Sequence, residues 1–235
     1  MSNQIDQLST NQEGHLQIGG VDSLELVKKY QTPLVVYDVK AIRDQIHHFQ
    51  KVFQDNGVDF AVSYASKAFA CIAMLQLINQ EKGHIDVVSG GELYTAIKAG
   101  FPMERVSFHG NDKSRAELEM AAEHQIGVII LDNFHEIDLL KDVLEEKQSH
   151  INVMLRVTPG SSAHTHEYDQ TGQVDSKFGF DIQSGQAKKA LGLVLEDDRM
   201  NMLGIHCHIG SQIFEVNGFE MAAVKLIDTL AQWNK

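Results

Sequence analysis

A regular alternation of short apolar runs with amphipathic stretches constrains this 235-residue chain more than any other feature. Runs rich in β-branched and aromatic residues begin at about residues 58, 84, 105, 127, 151 and 202. They are VDFAVSYAS, HIDVVS, RVSFHG, GVIILD, INVMLRV and MLGIHCHIG, and each predicts a strand. Helical patterns lie between them. Ala68 to Gln80 carries Ile72, Leu75 and Ile78 at helical spacing, with Gly83 as a stop. SGGELYTAIKAGFP predicts a helix closed by Gly100 and Pro102. Ser114-Arg115-Ala116-Glu117 has the pattern of a capping box and Asn133-Phe134-His135-Glu136 that of a further cap. The chain closes with an amphipathic helix. Strands alternating with helices imply a parallel sheet with right-handed crossovers.

A doubly wound open sheet and a (β/α)8 barrel both satisfy this pattern. The barrel accounts for more of it, because polar residues recur after successive strands. These are Lys67, Ser89-Gly90-Gly91, His109-Gly110-Asn111, Asp132, Arg156 with Thr158, and His208 with Ser211. In a barrel such strand ends converge on one face, whereas an open sheet gathers its chemistry at a single switch point. The expected fold is α/β: a (β/α)8 TIM-type barrel, incomplete at about six βα units. Residues 1–33 stand outside the repeat. GHLQIGGVDSLELVKKYQTP predicts a strand, a turn and a short helix leading to LVVYD, after which Asp38 caps a helix from Val39 to Gln54. The expected organisation is 1–36, a segment contributing to a second β-domain, and 37–235, the barrel, truncated before closure. The long polar stretch PGSSAHTHEYDQTGQVDSKFGF, between the fifth and sixth strands, fits a lid or wall of a site.

The formal charge of -12, from 20 basic and 32 acidic residues, argues against nucleic acid or an anionic membrane as the main partner. No apolar run is long enough to cross a bilayer, and the N-terminus lacks a basic-then-apolar signal pattern. The two cysteines, Cys71 and Cys207, form no CxxC pair, which points to a reduced, cytoplasmic protein.

Four places carry candidate chemistry. Lys67, in YASKAFA, sits at a predicted strand end between apolar segments. A partly desolvated lysine loses its proton more readily, and a neutral amine attacks an aldehyde to form a Schiff base. The plain alternative is a surface lysine. In HCHIGSQ, strand alternation puts His206 and His208 on one face and Cys207 on the other. That pair suits a metal, a plate against a flat ligand, or two hydrogen-bonded core histidines; with no HExxH or carboxylate cluster beside it, no metal is expected. Gly210-Ser211 follows with N–H groups and a hydroxyl suited to an anion. SGGEL, 89–93, is either a tight βα turn or an anion cradle at a helix N-terminus. Asp86 and Arg156 are charges inside predicted strands and are expected either to share one network or to face solvent.

YASKAFACIAMLQL, HIDVVSGGELYTAIKAGFP, LRVTPG, SKFGF and GIHCHIGSQ follow one another in the order of the fold-type III pyridoxal-phosphate decarboxylases. The chain resembles that family over nearly all of its length. Within it, the leader HLQIGGVDSLELVKKYQTPLVVYD is closer to the branch acting on diaminopimelate than to the ornithine or arginine decarboxylases. Phe69 departs from the pattern, standing where many relatives have asparagine. The resemblance implies pyridoxal 5'-phosphate bound through Lys67, His208 stacked on its ring, Ser211 at its phosphate, and Asp86 and Arg156 supporting the site. It implies decarboxylation of meso-diaminopimelate to L-lysine and CO2, a small-molecule amino-acid substrate, and a homodimer when full length. The family's Gly-rich phosphate loop, acidic partner of the pyridine nitrogen, substrate-binding arginine and tyrosines, and cysteine donor are expected further along a longer chain. The rivals are an arginine or ornithine decarboxylase, an amino-acid racemase, a non-catalytic pyridoxal-phosphate barrel, and a metal-dependent barrel hydrolase.

Overall fold

The computed structural model describes residues 9–159, 178–210 and 216–233. It divides into two compact units, Met1–Val62 with Glu81–Gly83, and Ser63–Gln80 with His84–Lys235.

In the first unit the expected strand, turn and helix become three short strands and a helix. Strands β1 (Ser9–Thr10), β2 (Leu16–Ile18) and β3 (Val21–Asp22) form an antiparallel sheet in the order β1-β2-β3. Helix α1 (Ser23–Tyr30) follows, its first turn capped by Asp22, whose carboxylate accepts from the Leu24 N–H. Asp38 caps α2 (Val39–Asp55) as expected, accepting from the N–H groups of Lys40 and Ala41. Glu81 fastens this helix, accepting from Arg43 Nε at 2.7 Å and sharing a 2.6 Å hydrogen bond with His47 Nε2.

The second unit contains the repeat: β4 (Ser63–Ala65), α3 (Ile72–Gln80), β5 (His84–Val87), α4 (Gly90–Lys98), β6 (Val106–Phe108), α5 (Arg115–Glu123), β7 (Val128–Leu131), α6 (Phe134–Lys147), β8 (Ile151–Thr158), β9 (Phe180–Asp181), α7 (Gln186–Leu195), β10 (Met200–His206) and α8 (Asn217–Trp233). The main sheet runs β10-β8-β7-β6-β5-β4, and all its pairs are parallel. It is the α/β architecture of a (β/α)8-type barrel, seen as an open arc of six strands among the described residues. The two-residue β9 pairs with β8 off this path; no strand was expected there. Most of the long polar stretch before it lies outside the described residues.

Alternation along the strands separates two faces. Ile151, Val153, Leu155 and Val157 of β8 are buried, whereas Asn152, Met154 and Arg156 between them are only part-buried. Helix α6 supplies Ile137, Leu140, Val143 and Leu144 to the core, all with no exposed surface. The capping box of α5 forms as its sequence predicts, Ser114 and Glu117 each meeting the other's backbone donor.

Three expectations change at the ends of the sheet. The first barrel strand is Ser63–Ala65 rather than 58–66, because β4 is an outer strand and only three of its residues pair, with His84, Ile85 and Asp86. Helix α3 starts at Ile72 rather than Ala68, because a 3-10 turn, Ser66–Ala68, and an extended Phe69 come first. Strand β10 ends at His206, so His208 lies beyond it and strand alternation does not put the two histidines on one face.

Candidate active site

Strand register gathers the polar side chains. Ala65, Asp86 and Ser107 are partners across β4, β5 and β6, and Arg156 and His206 are partners across β8 and β10. Their chain neighbours Ile85, Val87, Val106, Phe108, Leu155, Val157 and Ile205 are buried apolar residues. The polar residues therefore take the opposite face.

Asp86 sits in a cradle of donors. Its Oδ1 accepts from Ser107 Oγ at 2.6 Å and from Ser63 Oγ, and lies 3.5 Å from His109 Nε2. Burial works to raise the Asp86 pKa, but the contacts from His109, Ser107 and Ser63 outweigh it and bring it down to about 2. The His109 ring meets the His206 ring edge-on, with centroids 5.0 Å apart. Burial, then the neighbouring His109 and Arg156, lowers the His206 pKa to about 3, so its imidazole is neutral at pH 7. His206 Nδ1 is buried and has no hydrogen-bond partner among the described residues.

Arg156 belongs to a second network. Its Nη1 is 3.2 Å from Oδ2 of Asp132, whose side chain is 2% exposed. Asp132 Oδ1 accepts from the Gly179 N–H at 2.8 Å, and the Arg156 guanidinium lies over the Phe178 ring at 4.3 Å. Gly179 is required here: its φ is +78°, and a Cβ would come within 2.9 Å of the Arg156 carbonyl oxygen. Asp86 and Arg156 thus belong to two networks rather than one, because Asp132 lies nearer the guanidinium. His206 stands between them and is influenced by both charges.

Lys67 lies in the 3-10 turn that follows β4. It is exposed, against the expectation of partial desolvation, because β4 has a pairing neighbour on one side only among the described residues. Ser66, immediately before it, is 1% exposed, and its Oγ has no hydrogen-bond partner among the described residues. The Lys67 charge nevertheless acts on His208. Burial first, then the charges of Arg156 and Lys67, depress the His208 pKa, which favours a neutral ring. Cys207 between the histidines is half-buried, and burial raises its thiol pKa. Ser211, together with His164, His166 and Lys177, lies outside the described residues.

The glycine pair after β5 is not an open anion cradle. The Gly90 N–H donates to Glu117 Oε1 at 2.6 Å, and Ser89 Oγ caps α4 by accepting from the Glu92 N–H. The helix N-terminus therefore already faces a carboxylate of this chain. Ser107 and Ser63 were not singled out by sequence. The alternation in RVSFHG, with Val106 and Phe108 buried on either side of Ser107, is the signal that could have found the first.

These groups fit a pyridoxal phosphate. Lys67 offers an accessible amine for an aldehyde, His208 a flat ring that burial and the charges of Arg156 and Lys67 favour as neutral, and Ser66 Oγ and His206 Nδ1 are buried polar atoms with no partner among the described residues.

Residues 39–235 match the family described as pyridoxal-dependent decarboxylase, pyridoxal binding domain. The diaminopimelate decarboxylase of Bacillus methanolicus is 57% identical over 223 residues, 95% of this chain and 52% of that protein. The diaminopimelate decarboxylase of Bacillus subtilis (strain 168) is 56% identical, over 95% of this chain and 51% of that protein. The crystal structure of diaminopimelate decarboxylase from M. jannaschii superposes with a TM-score of 0.87 at 34% identity, over 97% of this chain and 54% of that one, and equally well in its co-complex with L-lysine. The chain spans about half the length of the curated relatives it matches. The family match spans most of the chain, and the parallel sheet agrees with it: this chain belongs to the pyridoxal-dependent decarboxylases.

Proposed function

We propose that this chain is the cofactor-holding part of an enzyme that decarboxylates meso-diaminopimelate to L-lysine and CO2. The observation that carries this reading is the 57% identity with a diaminopimelate decarboxylase across 95% of the chain, with Lys67 in the turn that follows a barrel strand. The assignment is to a longer protein, cytoplasmic and homodimeric, with 1–36 contributing to a second domain and 37–235 forming the barrel.

In the reaction, the bond from Cα to its carboxylate breaks, CO2 leaves, and a proton takes its place at Cα. When bound, pyridoxal phosphate supplies the conjugated ring that accepts the electron pair left at Cα. The residues of this chain bind and orient. Lys67 would supply the amine that holds the cofactor's aldehyde carbon. His208, kept uncharged by burial and by Arg156 and Lys67, presents a flat neutral face. Asp86, held ionised, fixes His109 behind His206; Arg156, braced by Asp132, fixes the positive side of the site. Ser211 is assigned to the phosphate.

The test uses the full-length protein that contains this chain. Borohydride reduction in the presence of pyridoxal phosphate, followed by peptide mapping, should label Lys67, and Lys67→Ala should abolish CO2 release from meso-diaminopimelate. A label on Lys177 or Lys113, or preferential turnover of ornithine or arginine, would overturn the assignment.

A further inference from the structure

Lys113 and Glu136 form an ion pair whose side chains are 1% and 2% exposed. Lys113 Nζ donates to Glu136 Oε1 at 2.7 Å, to the Gly110 carbonyl at 2.8 Å and to the Ile130 carbonyl at 2.8 Å. Three acceptors match the three protons of an ammonium. Burial pulls the Lys113 pKa down and pushes that of Glu136 up, but an unprotonated amine would leave one of these acceptors unmet. Glu136 Oε2 accepts from the Asp132 N–H at 3.0 Å.

The positions of these partners matter. Gly110 follows His109, which bears on Asp86. Ile130 lies two residues before Asp132, which holds Arg156. A single ammonium thus ties the end of β6 to the end of β7, and its glutamate holds the backbone of Asp132. A buried pair of this kind is weak evidence for stability, since well-packed apolar residues of similar volume often serve a core as well or better. Apolar residues could not hold two carbonyls and an N–H at fixed points.

We propose that Lys113 is a positioning residue for the cofactor site, setting the spacing between the Asp86–His109 network and the Asp132–Arg156 pair. The proposal rests on the reading of these strand ends as a pyridoxal phosphate site.

The test is a double-mutant cycle on the apo form of the full-length protein, read as the dissociation constant of pyridoxal phosphate from its absorbance. Lys113→Met should weaken binding about tenfold, as should Asp132→Asn. If Lys113 acts through Asp132, the double variant binds within about twofold of Asp132→Asn alone. Losses that multiply, or a Lys113→Met protein that binds like wild type, would overturn the role. Should Lys113→Met fail to fold by circular dichroism, Glu136→Gln, which keeps the volume, takes its place in the cycle with the same expected result. If that variant fails to fold as well, the pair is a folding element and the proposal falls. A wild type that binds no pyridoxal phosphate would instead remove the cofactor reading itself, and the inference with it.

Discussion

The half of the strand-end face built on β5 and β6 and the half built on β7 and β8 hold their carboxylates, one part-buried and one buried, by different chemistry. Asp86 is stabilised by two hydroxyls and an imidazole, with a second imidazole packed behind it. Asp132 is held by a guanidinium and a backbone N–H. The Asp86 charge is shared among several short contacts, whereas the Asp132 charge meets one guanidinium and one N–H, so the second half depends more on each single partner.

The largest effect should come from the second half. Asp132→Ala leaves the Arg156 guanidinium, on a side chain 12% exposed, without its carboxylate. Breaking one side of such a pair should cost about 3–5 kcal/mol in urea unfolding. A loss below about 1 kcal/mol would mean that the pair behaves like a surface bridge.

Asp86 gives the next effect. Its pKa in the fold, about 2, lies below the ordinary 3.8, so the ionised form is the stabilised one. The gain is fully present above the ordinary value and is lost as pH falls through about 2. Asp86→Asn should therefore cost about 2 kcal/mol at neutral pH, and the difference from wild type should fade in acid. A penalty that persists unchanged at about pH 2 would assign the effect to shape rather than charge.

His206 should show the smallest effect, with the opposite origin. Its pKa in the fold, about 3, lies below the ordinary 6.5. Above the ordinary value both folded and unfolded chains are neutral there, and the group contributes nothing to pH dependence. Below it the unfolded chain takes a proton that the fold refuses, so stability falls. Between about pH 7.5 and 5.5 the loss should be about 1.4 kcal/mol, and His206→Gln should remove that slope. An unchanged slope in the variant would place the titration elsewhere.

The repeat was legible because each central strand carries outward apolar residues that meet the stripe of a helix with the matching period. Helix α6 shows this, burying Ile137, Leu140, Val143 and Leu144 as its spacing asks. Helix α2 carries its own apolar face in Ile42, Ile46, Phe49 and Phe53, yet buries no residue. Periodicity reveals a face suited to burial and says nothing of what covers it. The two-residue β9 has no period to detect, and β4 shortens where pairing ends. Of the site, Lys67, Asp86, Arg156 and His208 stood out because a charge or an imidazole in an apolar run is conspicuous. Lys113 and Glu136 did not. Each lies in a polar stretch and reads as a surface residue, and Glu136 also passes for an ordinary member of the Asn133 cap. Only the folded backbone brings a lysine and a glutamate 23 residues apart into one buried contact.

Side chains stitch each unit of the repeat to the next. Glu117 accepts from Gly90, Asn133 donates to the Asn111 carbonyl, and Asn152 donates to the Gly127 carbonyl, at separations of 27, 22 and 25 residues. Each stitch spans about one unit, so its loop closes at a modest entropy cost. During synthesis a unit can be locked once its successor has left the ribosome, without waiting for the far end of the sheet. The order in which the chain is made is then also an order in which it can be fastened.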